Sequence, residues 1–529
     1  MDLLDLPPEL LSRIIEITAW VTPRGYENLM LTCKTVHAHG ARTLASHNAN
    51  KGVWKKISFT DPDPWKSIGA SLQYAEEPAF AEYTEVADFR IIGSWGVEQE
   101  DYEPYEMADP ILPHELKSLE DLMLHSPVLP DHIRSPTFWG EFRRLFIGAA
   151  GDRTEGLDRL WDWSLILLIS QLKYITELTL PLSWPSKHHA QDVEPDPNIK
   201  HDKICFGAAE CLMRNTHLSE PDEPLKHCKI LRFLGPVHHR VRLSTVSPFL
   251  ALKNVEELYA IGFTAEDLDD FPSLLYQWPY PELVSPLQRL ELLGCNIDAR
   301  SMANLLAHTP LLIVLRYSHV AHTMSFYNRQ QDYQSIELTR HRGRGASWNA
   351  AAFVASIAKH CGHQLIELAI TLAEVRMPTE TIRISNPIST MKEFACLEHA
   401  ELEVAIFEDH SFEIEPTKVK WHSVNVPKLV EILPPSLKTL KLFDGYSRGA
   451  EVAEALMKDF AAGRTWLLSD LEDVSYRHRT YRLDGYPTAN FSKVEGRAGL
   501  EGIPWSSGHG LNSAWEREFG KTHGAYQPL

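Results

Sequence analysis

The chain has 529 residues, and its 52 Lys+Arg against 71 Asp+Glu leave a net charge of −19. With 44% hydrophobic and 23% charged residues it can bury enough apolar surface to fold, which excludes disorder over the whole length. The acidity argues against a protein that coats nucleic acid or an anionic membrane, because both demand a basic face.

The opening residues MDLLDLPPELLSRI have no basic stretch leading into an uninterrupted apolar run, so no secretory signal is expected. Apolar runs such as Leu165 to Ile169 are far below the ~20 residues that span a bilayer. Seven cysteines without a CxxC pair read as reduced thiols of a protein in the cytosol, the nucleus or both. In that setting the sequon Asn490-Phe491-Ser492 is a chance match.

Residues 1–48 predict three short helices. Pro7-Pro8-Glu9 opens the first, since proline costs nothing in a first helical turn and Glu9 suits its positive end. Leu10, Leu11, Ile14, Ile15 and Thr18 then recur at three- and four-residue steps. Pro23-Arg24-Gly25 breaks the pattern, Leu29-Met30-Leu31 follows, and Cys33 leads into a last helix. Such a unit is too small to be stable alone, so it needs either the rest of the chain or another protein as a partner.

The pattern LPxELLxxII, a loop, then NLxLTCKxxH resembles the F-box, as found in fungal-type F-box proteins with a C-terminal degenerate leucine-rich-repeat domain. The resemblance covers about 45 residues. It implies docking on a Skp-type adaptor and, through that adaptor, on a cullin–RING ubiquitin ligase. The adaptor-facing residues it implies are Leu6, Pro7, Leu10, Ile14 and Ile15, continued by Leu29, Leu31, Cys33 and Val36. Val36-His37 stands where many members have a tryptophan. The alternative reading makes 1–48 a cap whose apolar stripe is internal core.

Residues 49–115 read as a linker and first capping segment. Eight acids between Glu85 and Asp109, interleaved with Phe89, Trp95, Tyr102 and Tyr105, read as a solvated loop or an acidic docking segment.

From 116 to 480 the unit apolar-x-x-apolar-x-apolar recurs. It begins at Leu119/Leu122/Leu124 and Phe142/Leu145/Ile147. Further copies centre on Leu178, Leu231, Leu258, Leu290, Leu315, Leu368, Ala400, Leu440 and Val474. Leu287 to Ile297 fits LxxLxLxxN/CxL at every fixed position. A helix over Ala299 to His308, capped by Asp298, would return across the strand. The expected fold is therefore α/β: a short three-helix F-box followed by an irregular leucine-rich-repeat solenoid, with parallel strands on the concave face and helices outside. A two-domain α/β protein is the alternative.

In a solenoid the side chains flanking the central leucines face a ligand. The candidate target-binding residues are Glu257, Tyr259, Arg289, Glu291 and Arg316, with the basic island Arg340, Arg342 and Arg344. Guanidinium groups there would suit an acidic or phosphorylated segment. The Gly-rich tail, 481–529, is expected to cap the last repeat or to be only partly ordered.

No catalytic constellation appears. Gly520-Lys521-Thr522 resembles the end of a P-loop, but Trp515 stands where glycine is required. Cys205, Cys211, His217, His227 and Cys228 cluster loosely, as do His360, Cys361 and His363, without the spacing of a zinc site. No enzyme activity, metal or cofactor is expected, nor any nucleic-acid or membrane partner. The expected function is recruitment of a target protein to a Skp–cullin–F-box ligase. The alternatives are a scaffold that uses the F-box outside any ligase and a hydrolase or transferase hidden in an α/β fold.

Overall fold

Among the described residues, six of the first seven α-helices begin with proline, whose fixed φ favours a first helical turn and whose missing N–H is an orphan there anyway. They are α1 (Pro8–Val21), α2 (Pro23–Met30), α4 (Pro64–Glu76), α5 (Pro78–Tyr83), α6 (Pro113–His125) and α7 (Pro136–Ala149). The exception, α3 (Lys34–Trp54), is capped by Cys33, whose sulfur accepts from the Val36 N–H at 3.5 Å. The computed structural model describes residues 3–59, 64–90, 113–126, 128–131, 133–149, 157–181, 184, 199–218, 223–235, 241–265, 275–320, 347–372, 383–408, 426–444, 449–478, 505–509 and 513–523. These form a mixed α/β protein with parallel strands and many helices.

The chain divides into two compact units, 1–235 with 245–257 and 236–244 with 258–529. In the first unit, β1 (Lys56–Ser58), β2 (Val86–Asp88), β3 (Glu177–Pro181) and β4 (Ile230–Leu234) pair in chain order, all parallel. The described part of 49–115, read from sequence as a linker and first capping segment, thus includes β1, α4, α5 and β2. The unit is completed by α8 (Leu157–Ile169), α9 (Ile199–Thr216) and the single turn α10 (Ser247–Leu250). The first two apolar triplets are helical. Leu119 and Met123 form the buried stripe of α6, and Phe138, Trp139 and Phe142 that of α7. Ser135 caps α7 by accepting from the Phe138 N–H at 3.1 Å.

The second unit holds β5 (Val241–Arg242), β6 (Glu257–Ile261), β7 (Phe263–Ala265) and β8 (Arg289–Ile297), then α11 (Ala299–Leu306) and β9 (Val314–His319). It continues through β10 (Ser347–Asn349), α12 (Ala350–Cys361), β11 (Glu367–Leu372), β12 (Arg383–Ser385) and β13 (His399–Glu403). The single turn α13 (Leu429–Ile432), β14 (Thr439–Asp444), α14 (Gly449–Leu456), α15 (Phe460–Leu467), β15 (Asp473–His478), β16 (Trp505–His509) and α16 (Ala514–His523) complete it. The strands run β6-β8-β9-β11-β13-β14-β15-β16, and every ladder from β8 onward is parallel. The other nine apolar triplets all lie on strands or lead into them.

Strand alternation sorts the side chains into two layers. On one side Leu290, Leu315, Tyr317, Leu368, Ile370, Leu402 and Leu440 are fully buried or nearly so. Met302 and Leu305 of α11 and Phe353 and Ile357 of α12 belong to the same core, with the Tyr317 and Phe353 rings 4.6 Å apart. Asp298 caps α11, accepting from the Ser301 N–H at 2.6 Å. The register of β8 against β9 shifts between Leu292 and Cys295, where Gly294 takes a φ of 57° that few other residues adopt.

Candidate functional site

The first candidate surface lies on α1. Its core side is Leu11, Ile15 and Ala19, packed with Tyr26, Met30 and Val36. Ile15 and Val36 are therefore interior residues. The resemblance places them on the adaptor-facing surface, but the spacing that gives α1 a core stripe turns Ile15 inward, and Val36 meets it from α3. Of the other implied residues, Pro7, Leu10, Ile14 and Leu31 are exposed, while Leu6, Leu29 and Cys33 are half-buried.

Beside the core stripe runs a second one, in water. Leu10 (53% exposed), Ile14 (37%), Ile17 (48%) and Val21 (64%) recur at i, i+4, i+7 and i+11. Trp20 is also exposed, and Leu31 on the turn after α2 is 83% exposed. Large apolar side chains grouped in water this way are a feature of interaction surfaces. Ile17, Trp20 and Val21 are absent from the implied set, although the same 3.6-residue periodicity picks them out.

The helices below are fixed to the rest of the first unit. The buried His47 ring of α3 hydrogen-bonds Glu27 of α2 at 3.1 Å and the Tyr83 hydroxyl of α5 at 2.9 Å. Burial alone would raise the Glu27 carboxyl, but hydrogen bonds from Lys51 and His47 hold it below the ordinary range. The Arg24 guanidinium sits 4.4 Å over the Tyr174 ring. The stripe is thus presented on a braced support.

The second candidate surface is the polar layer of the second unit. Arg316 of β9 reaches three carboxylates: Glu367 at 2.6 Å, Glu518 at 3.0 Å and Glu291 at 3.4 Å. Arg289 meets Glu291 at 2.8 Å. Burial opposes the charge on Arg316, but Glu291, Glu367 and Glu518 outweigh it and raise its guanidinium further. Burial pushes the Glu291 carboxyl up despite Arg316 and Arg289.

This layer is not an open ligand face, because the chain's own last helix lies on it. Ser513 and Glu516 form a capping box: the Ser513 N–H donates to Glu516 at 3.1 Å and the Glu516 N–H to the Ser513 hydroxyl at 3.3 Å. The other Glu516 oxygen accepts from Ser318 of β9 at 2.7 Å and Thr371 of β11 at 2.8 Å. Glu401 of β13 accepts the Ala514 N–H at 2.5 Å and the Trp515 N–H at 3.3 Å. The Trp515 indole donates to Thr371 at 3.2 Å. At the far end Tyr259 of β6 packs on Phe519 and on His523, with centroids 6.3 and 4.2 Å apart. Ten helical residues span roughly 15 Å, which compares with about 19 Å from β13 across to β6. The helix therefore crosses the strands.

Tyr259 and Glu291 are consequently buried, Arg289 and Arg316 are half-buried, and Lys441 of β14 stays exposed. Glu257 is half-buried and falls in the first unit. Arg340, Arg342 and Arg344 lie outside the described residues, as does most of the acidic 85–109 stretch.

Burial pushes the Cys228 and Cys361 thiols up to about 12. Such thiols are inert at neutral pH. Among the described residues no group of three or more His, Cys, Asp or Glu could hold a metal ion. Among the same residues no helix is long and apolar enough to cross a membrane. No protein-family model matches the chain, and no curated protein matches it.

Two outcomes follow from the docked helix. Glu516→Ala strips the acceptor from Ser318, Thr371 and the Ser513 N–H, which should cost about 1–3 kcal/mol. Hydrogen exchange over 513–523 should then accelerate about tenfold or more, and unchanged exchange would contradict the assigned contacts. Glu401 provides a pH test. Burial holds its carboxyl above the ordinary range, against Lys441 and the Ala514 and Trp515 N–H groups, with Glu516 adding to the rise. The folded state therefore favours the protonated form, and this contribution is lost as pH rises through the raised value. Relative to Glu401→Gln, the natural protein should gain thermal stability as the pH falls from neutral toward the ordinary carboxylate range. A constant difference would count against the shift.

Proposed function

We propose that the chain is a substrate-recruiting subunit of a Skp–cullin–F-box ubiquitin ligase, working in the cytosol or nucleus. Helices α1–α3 act as the F-box and dock on the Skp-type adaptor. The β/α array acts as an irregular leucine-rich-repeat solenoid that holds the target. The chain itself performs no chemistry; partner enzymes transfer ubiquitin. Its contribution is to convert a bimolecular encounter between target and ligase into one within a single assembly.

The observation that carries this reading is the open stripe Leu10, Ile14, Ile17 and Val21. A helix that already buries Leu11, Ile15 and Ala19 has no folding need for a second apolar side. A stripe kept in water on a braced helix suits docking of a partner. The sequential parallel strands, with α11 and α12 on their apolar side, support the solenoid part.

The pair Leu10→Glu and Ile14→Glu tests the reading. Both side chains are exposed, so thermal unfolding should stay unchanged. Each large apolar group buried in an interface contributes about 1.5–3 kcal/mol, so affinity for a Skp-type adaptor should fall about 100-fold or more. Adaptor co-purification that survives the double substitution would remove the site, and a natural chain that binds no adaptor would remove the function.

A further inference from the structure

The helix α16 is an unusual cover for a sheet. It stands on the layer where a solenoid's partner would sit. Its contacts also come from widely separated parts of the chain, with Arg316 and Glu518 202 positions apart. Its buried side is a stripe of Trp515, Phe519 and His523 with the carboxylate Glu516 beside it. Beside that aromatic burial stand polar and charged contacts: Glu516 on two strand hydroxyls, Glu401 on two helix N–H groups, and Glu518 on Arg316.

We propose that α16 is an internal ligand, holding the place of a partner helix that carries the same acid-and-aromatic chemistry and must displace it. The proposal rests on reading the second unit as the part of the chain that holds a target. The fitting partner helix has aromatic residues four apart, a carboxylate directly after the first, and a second carboxylate directly before the other. The two carboxylates answer Ser318 and Thr371 at one point and Arg316 at another.

Three features make the cover displaceable. A ten-residue helix has little stability of its own and forms only where it is held. Buried charges lose much of their Coulomb gain to desolvation, and burial pushes the carboxyls of Glu291 and Glu401 up. Glu518 is 64% exposed, so its pair with Arg316 is a rim contact of small net strength. A partner offering the same groups on a longer helix exchanges like contacts for like and adds its own flanks.

The test uses the full chain and a labelled peptide of its residues 511–525. The receptor is compared as the natural protein, as Trp515→Ala with Phe519→Ala, and as Glu518→Arg. The last substitution sits at an exposed position and sets two cations against each other, so it loosens the helix without threatening the fold. Peptide binding by anisotropy should be about tenfold tighter or more for both loosened proteins than for the natural one. A peptide carrying Glu516→Ala should lose that gain. Equal binding by the natural protein and a folded Glu518→Arg protein would overturn the proposal and leave α16 as a fixed part of the core. Adaptor co-purification by the same proteins is read in parallel. Its loss in the natural chain would strike the ligase reading, whereas the peptide result strikes only the internal ligand.

Discussion

Alternate side chains of a parallel strand point to opposite sides, and in the second unit that alternation separates an apolar layer from a charged one. Cover on both layers is favoured, because parallel sheets are mostly shielded on both faces. Leu290, Leu315, Leu368 and their neighbours solve the first side by meeting the stripes of α11 and α12. Apolar packing of Trp515 and Phe519 covers only part of the second side. Arg316 and Glu291 share it with Ser318 and Thr371, so whatever lies there must bring donors and acceptors of its own. The helix α16 brings Glu516 and Glu518, placed by a capping box that starts it at the right residue.

On α1 the need for cover is met on one side only. Its core stripe is covered by α2 and α3, and its second stripe is covered by nothing within the described residues. One surface is thus closed from within by polar contacts and another is left open and apolar. Under the proposed function, that difference suits two kinds of partner. An open apolar stripe suits a constant partner that is always needed, whereas a charged layer under a helix suits a partner that has to compete for its place.

Much of the strand frame is legible in the sequence. The triplets centred on Leu178, Leu231, Leu258, Leu290, Leu315, Leu368, Ala400, Leu440 and Val474 all become strands, because alternation over five or six residues is a strong pattern. The triplets around Leu122 and Leu145 mislead, since leucine at three- and five-residue offsets also fits a helix. Pro113 and the Ser135-Pro136 pair are the signals that decide for helix. The strands β1 and β2 escape notice because three residues are too few to show a period.

The sites divide in the same way. The periodicity of α1 is visible, yet which of its two stripes faces inward depends on Met30, Tyr26 and Val36 from other helices. The resemblance therefore places Ile15 on the adaptor-facing surface when it belongs to the core. Tyr259, Glu291 and Arg316 are recognisable as one layer. Their cover is not, because Ser513-Ala514-Trp515-Glu516 announces a helix start without saying where the helix docks. Hydrogen exchange on the full chain, with and without a Skp-type adaptor, separates the two surfaces in one measurement. Slowed exchange should be confined to residues 8–31, with β9, β11 and α16 unaltered. Unchanged exchange across α1, or slowing at the strand layer instead, would contradict the assignment of α1 as the adaptor-docking surface.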